Sequence, residues 1–170
     1  MTKTDSTLRK ISLAFAGLAL AALTLSGCSA ITDLLADETV VEGEGDAQDI
    51  FTIEVGDCIN DSLAGESVTT VPTVDCAELH DSEAYKSIIL DDEKFPGDAE
   101  INTQAEEGCS AAFEDFIGLS YDESIINLNF YYPTAETWLT GDREILCLAR
   151  DTDGEGNEIQ TTGSLAGAKR

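Results

Sequence analysis

The sequence predicts an α+β fold: an antiparallel sheet with one long helix packed across it, a second short helix and two disulfides, preceded by a signal peptide and a disordered tether. Three observations carry this. From residue 51 onward, short stretches alternate apolar with polar residues or are rich in β-branched ones, as strands do. At Asp98 the apolar spacing changes to three and four residues, which places side chains on one helical face. Four cysteines lie beyond residue 50, an even number in a segment that follows an export signal.

Phe51, Ile53 and Val55 alternate with polar residues and predict a first strand that turns at Gly56-Asp57. Val68, Val71 and Val74 mark a second extended stretch leading into Cys76, and Tyr85 to Leu90 a third, ended by Asp91-Asp92-Glu93 and Pro96-Gly97. The helix begins at Asp98, a good N-cap residue, carries Ile101, Ala105, Cys109, Ala112, Phe113, Phe116 and Ile117 on one face, and stops at Gly118. Ile125 to Tyr132 is the fourth strand. Pro133 opens a short helix that carries Trp138 and ends at Gly141, with proline first and glycine last. Ile145 to Ala149 is the fifth strand, Asp151 to Asn157 a turn, and Glu158 to Thr162 is expected to pair back. No internal repeat is present.

The first 27 residues read as an address. Lys3, Arg9 and Lys10 precede an apolar run over residues 11–25. That run is shorter than the roughly 20 residues of a spanning helix and suits a signal-peptide core. Leu25, Ser26, Gly27 and Cys28 follow the pattern of a bacterial lipoprotein, in which the cysteine takes a diacylglyceryl group and becomes the first mature residue. Acyl chains on Cys28, palmitate among them, would hold the protein to the outer surface of the cell membrane, at about 0.8 kcal/mol per buried methylene. Residues 28–50 are the tether: seven acidic residues and no basic one over 29–50 repel one another and extend the chain. Ile31 to Ala36 could form a short helix. Residues 51–170 are the folded domain.

The formal charge is −25, from 34 acidic and nine basic residues, and residues 28–170 alone hold 33 acidic against six basic. Such a surface repels phosphate backbones and anionic head groups, which excludes a nucleic-acid-binding role. With Cys28 given to lipid, Cys58, Cys76, Cys109 and Cys147 allow three pairings. A hairpin would join Cys58 to Cys76, and a helical Cys109 could face Cys147 on a core strand, so 58–76 with 109–147 is preferred. These loops would contribute about 3 and about 4 kcal/mol in the chain-entropy picture. No Cys-x-x-Cys occurs and Cys76-x-x-x-His80 lacks a second half, so a zinc site is not expected.

These residues resemble a family. Val55-Gly56-Asp57-Cys58, Val74-Asp75-Cys76 with His80-Asp81, Phe95-Pro96-Gly97 and the helical Cys109 with Phe113 are similar to the septum-formation domain of actinobacterial envelope proteins. Tyr132-Pro133-Thr134, Trp138, Gly141-Asp142-Arg143 and Cys147 resemble its most specific segment, and Gly163-Ser164-Leu165 with Gly167 its closing motif. Asp81-Ser82-Glu83-Ala84 is less hydrophobic than the family's continuation, and Ile59 stands where an aromatic is common. The resemblance implies a role near the division septum and brings no catalytic residue set.

Among candidate site residues, Trp138 and Arg143 are read first as a corner, with Arg143 on Asp142 or Glu136 and Trp138 filling the core. His80, the sole histidine, could be a general base beside Asp81 or Glu83, but no Gly-x-Ser-x-Gly nucleophile motif completes such a site, and a hydrogen-bonded turn histidine is the plainer reading. Asp151 to Glu158 alternates oxygen ligands like a calcium loop, yet the twelfth position is Thr162, so a polar turn is expected. The reading adopted is a non-enzymatic, lipid-anchored extracytoplasmic interaction module without cofactor, bound to a basic extracytoplasmic protein of the division or wall-synthesis machinery through a face around Trp138, Arg143, Tyr131 and His80. The alternative classes are an enzyme acting on wall polymers and a small-molecule or cation binder.

Overall fold

The computed structural model describes residues 43–62 and 68–170. The signal peptide, Cys28, the 31–36 helix and the tether up to residue 42 lie outside the described residues. Six strands, β1 (Asp46–Asp49), β2 (Cys58–Ile59), β3 (Thr70–Val74), β4 (Ser82–Ile89), β5 (Asn127–Tyr131) and β6 (Glu144–Arg150), form one antiparallel sheet in the order β1-β3-β2-β4-β6-β5. The long helix α1 (Asp98–Ile117) packs against β4, β5 and β6, and the short α2 (Ala135–Leu139) links β5 to β6. No helix among the described residues is long and apolar enough to cross a membrane.

Side chains alternate across the sheet, so β6 feeds two cores. Ile145, Cys147 and Ala149 join Ile101, Ala105, Cys109, Phe113 and Ile117 of α1, with Tyr85, Ile126, Trp138 and Leu165, in the larger one. Leu146 and Leu148 face the other way and meet Ile53, Ile59, Val71 and Ala84 in a smaller one. The β4–β6 register shifts between Ala84 and Lys86, and Tyr85 at that bulge stands on the helix side with its hydroxyl donating to Cys109 C=O at 2.9 Å. Both disulfides form: Cys109–Cys147 fastens α1 to the central strand β6, and Cys58–Cys76 fastens β2 to the segment after β3.

Four local readings need correction. The strand expected over Phe51 to Val55 is absent. Asp49 accepts the Phe51 N–H and Thr52 Oγ1 donates to Asp49 C=O, which winds Ile50–Thr52 into a 3-10 turn, while Asp57 takes the Glu54 N–H. Such side chain-to-backbone bonds compete with extension, and of the three alternating residues only Ile53 is buried; Phe51 and Val55 are more than half exposed. The true first strand is β1, in residues read as the end of the tether; its acidic side chains point to solvent at the sheet edge.

Second, Asp98 is the first helical residue and not the cap. Gly97 is the cap, at φ +99°, a backbone conformation that suits glycine, and its C=O accepts from Glu100 and Ile101 N–H. Asp98 and Glu100 instead place negative charge at the positive end of the helix dipole. Third, Pro133 stands before the cap of α2. Thr134 is the cap, in a reciprocal capping box with Thr137. Fourth, the stretch after the 151–157 turn pairs back only at its start, where Glu158 bridges Thr152 and Ile159 N–H donates to Asp151 C=O; Thr161 crosses to pair with His80.

Candidate functional site

The polar centre of the molecule sits on the sheet face away from α1. Ala84, Leu146 and Leu148 point there, and so does Arg150 at the end of the same β6 alternation. Arg150 Nη2 reaches Asp61 Oδ2 at 2.8 Å, and Nη1 reaches Glu158 Oε2 at 2.6 Å. The Asp61 side chain is fully buried and also accepts from Tyr131 OH at 2.7 Å and Ser82 Oγ at 2.6 Å. Three donors on one carboxylate compensate its desolvation. Burial works against the Arg150 charge, but Asp61 and Glu158 outweigh it and hold the guanidinium above its usual range. Burial, followed by the negative charge of Asp61, pushes the Tyr131 phenol far above its usual range. Beside this cluster, Ser62, Asp81, Glu158, Ile159 and Gln160 line an open pocket of about 330 Å³.

The residues singled out in the sequence do not share one surface. Tyr131 belongs to the Asp61 side of the sheet, whereas Trp138 lies in the helix-side core. Trp138 is 5% exposed, with Phe95 edge-on at 5.6 Å. Arg143 does not pair with Asp142 or Glu136. Its guanidinium carbon stands 3.7 Å from the Trp138 ring centroid, and Nη1 donates to the C=O groups of Trp138 and Asp142. The Asp142 carboxylate is occupied by Thr137 Oγ1 and Glu144 N–H, so the corner is closed by backbone bonds and stacking.

His80 is fully buried, so it offers no contact to a partner. It exchanges both backbone hydrogen bonds with Thr161, and Nδ1 donates to Glu78 C=O at 3.0 Å. Neither proposed neighbour bonds its ring: Asp81 accepts from Ser62 N–H, and Glu83 from Ser164 Oγ and Leu165 N–H. The sulfurs of Cys58 and Cys76 lie within 4.8 Å of the Glu83 carboxylate, but they are bonded to each other. In the 151–157 turn, Asp153 accepts from Glu155 N–H and from Asn157 N–H and Nδ2, and Asp151 binds Arg170. The side-chain oxygens of Asp151, Asp153 and Glu158 thus serve the chain's own donors.

A family model described as Septum formation matches residues 55–170, more than half of the chain. The chain belongs to the septum-formation family. No curated protein and no solved structure gives a significant match. The matched span of this septum-formation domain holds both disulfides, α1, the Trp138–Arg143 corner and the whole Asp61–Arg150 cluster; β1 and the 3-10 turn precede it.

Asp61, the hub of the polar cluster, was missed in the sequence. A single signal was available: Arg150 continues the parity of Leu146 and Leu148, which aims a charge at a core face and requires a buried anion. Which of 34 acids would answer is set by the chain path. Chemically, the cluster is a locked ion pair, in which Asp61 and Glu158 are each held by Arg150.

Proposed function

We propose that this member of the septum-formation family is a lipid-anchored, non-enzymatic interaction module on the outer face of the cell membrane, engaged with a basic extracytoplasmic protein of the division or wall machinery. Surface charge is the observation that carries the reading. Residues 43–170 hold 29 acidic and six basic side chains, and the internal pairs of Arg150 with Asp61 and Glu158 and of Arg170 with Asp151 leave that balance strongly acidic. A single-sign field of this size speeds association with an opposite-sign partner and makes it salt-sensitive. The lipoprotein pattern at Cys28 and the family's link to septum formation supply the setting.

The test is zero-length carbodiimide coupling in intact envelopes, which joins carboxylates of this protein to lysines of its neighbour. The expected result is adducts to a lysine-rich extracytoplasmic protein that fade as salt is raised before coupling. Adducts of unchanged yield from low to high salt, or none at any salt, would overturn the reading. Anchoring is tested separately: Cys28→Ala should release the protein from membranes, and full retention would contradict the lipid anchor.

A further inference from the structure

The two edges of the sheet are built differently. β1 is four residues long, carries Asp46 and Asp49, follows Gly45 at φ +136°, and runs straight into the 3-10 turn. Shortness, charge and a kink are the devices by which sheets discourage edge pairing. β5, five residues long, has neither the charge nor the kink. From Asn127 through Tyr132 it holds no charge, no proline and no bulge, in a domain dense with acids.

The ladder settles where the β5 backbone groups point. Arg143 C=O accepts from Leu90 N–H on the β4 side of β6. Alternation then turns Leu146, Leu148 and Arg150 toward β5, where their partners are Tyr131, Asn129 and Asn127. Leu128 and Phe130 therefore turn their N–H and C=O groups outward. The Phe130 N–H donates to Asn129 Oδ1 at 2.8 Å, as this parity requires. No strand of the described residues pairs with the Leu128 N–H and C=O or the Phe130 C=O.

We propose that the outer edge of β5 accepts an extended strand of a basic partner protein, one in which apolar side chains alternate with lysine or arginine. The proposal rests on the interaction-module reading and names its docking surface. On the helix side an added strand would lay apolar groups beside Leu128 and Phe130, which are partly buried against the core, and beside the Phe130–Tyr132 ring pair. On the other side it would meet exposed Asn129 and half-buried Tyr131. Charge selects the occupant: the acidic domain attracts lysine or arginine at the polar positions and repels a second copy of itself. Backbone bonds then supply affinity and alternate side chains supply selectivity.

The experiment uses the full mature chain in mild detergent and a capped peptide of alternating valine and lysine. Controls are the glutamate-for-lysine version and a version with a central proline, which keeps the charge but breaks the strand. The lysine peptide should bind saturably and slow amide exchange at the outward-facing Leu128 and Phe130 by about tenfold or more, and both controls should fail to do so. Asn129→Lys, at an exposed position, should weaken binding about tenfold with an unchanged melting temperature, and Gln48→Lys on β1 should not. Leu128→Pro removes an outward N–H without touching the β5–β6 ladder and should also abolish binding. Equal binding of the proline peptide, protection of β1 instead of β5, insensitivity to Asn129→Lys, or protection by self-association without peptide would each overturn the proposal. If salt-sensitive carbodiimide adducts persist in that event, the docking surface is elsewhere and the interaction reading stands; if they too are absent, both fail.

Discussion

The two faces of this sheet are held by different physics. Under α1 the core is apolar: Phe113, Ile101 and Ile117 pack on Ile145 and Cys147, Tyr85 meets Phe113 edge-on, and a disulfide ties helix to strand. On the opposite face six aliphatic and small residues give way to Asp61, Ser82, Tyr131 and Arg150. The helix side loses stability in proportion to the volume removed, because its contacts are non-directional. The polar side responds to completeness: each member of the cluster desolvates another, so a missing partner costs more than a missing pair.

That contrast can be broken most sharply at the ion pair. Asp61→Leu or Arg150→Met alone should cost about 3–5 kcal/mol, since each strands a buried charge, while the double variant should cost less than either single change. Urea melts read all three; a double variant as costly as the two singles summed would show that no coupling exists. On the helix side, Phe113→Ala should also cost about 3–5 kcal/mol, but Phe113→Leu much less, a graded response with no counterpart at Asp61.

The disulfides come next. Replacing Cys109 and Cys147 by alanine should cost about 4 kcal/mol and replacing Cys58 and Cys76 about 3, because the first pair closes the longer loop, 38 against 18 residues of separation. Reversed order in thermal melts would mean that packing at β2 dominates chain entropy. A smaller effect is expected at the corner. Arg143→Lys keeps the charge but loses the planar stack on Trp138 and the paired bonds to two carbonyls, at about 1 kcal/mol.

The mildest test uses pH. Burial, with the adjacent Asp61 charge, raises the Tyr131 phenol in the folded state, and burial raises Tyr85 likewise. Above pH ~10 the unfolded chain gives up these protons while the folded chain keeps them, so stability present below pH ~10 is lost as pH rises further. Tyr131→Phe should flatten that alkaline decline. An unchanged slope would place the titration elsewhere.

Much of this was legible before the fold. The period change at Asp98 and the stop at Gly118 gave α1 its true end, and the cysteine pairing followed once Cys109 lay on a helix facing a strand. The first three errors share one cause. Asp49, Asp57, Gly97 and Thr134 set element boundaries through hydrogen bonds to nearby backbone, which hydrophobic periodicity does not report. The candidate surface failed for a related reason: Trp138, Arg143, Tyr131 and His80 stand out by rarity, and rarity does not say which side of the sheet a residue occupies. Tyr131 and Trp138, seven positions apart, fall on opposite sides of the sheet.

The role proposed for this acidic septum-formation domain, lipid-anchored and at the division septum, is open to direct observation. Imaging a functional fluorescent fusion, kept on its own Cys28, in growing and dividing cells tests it most directly. The expected result is enrichment at midcell that is lost in the Cys28→Ala variant. A uniform peripheral signal through the division cycle would contradict it.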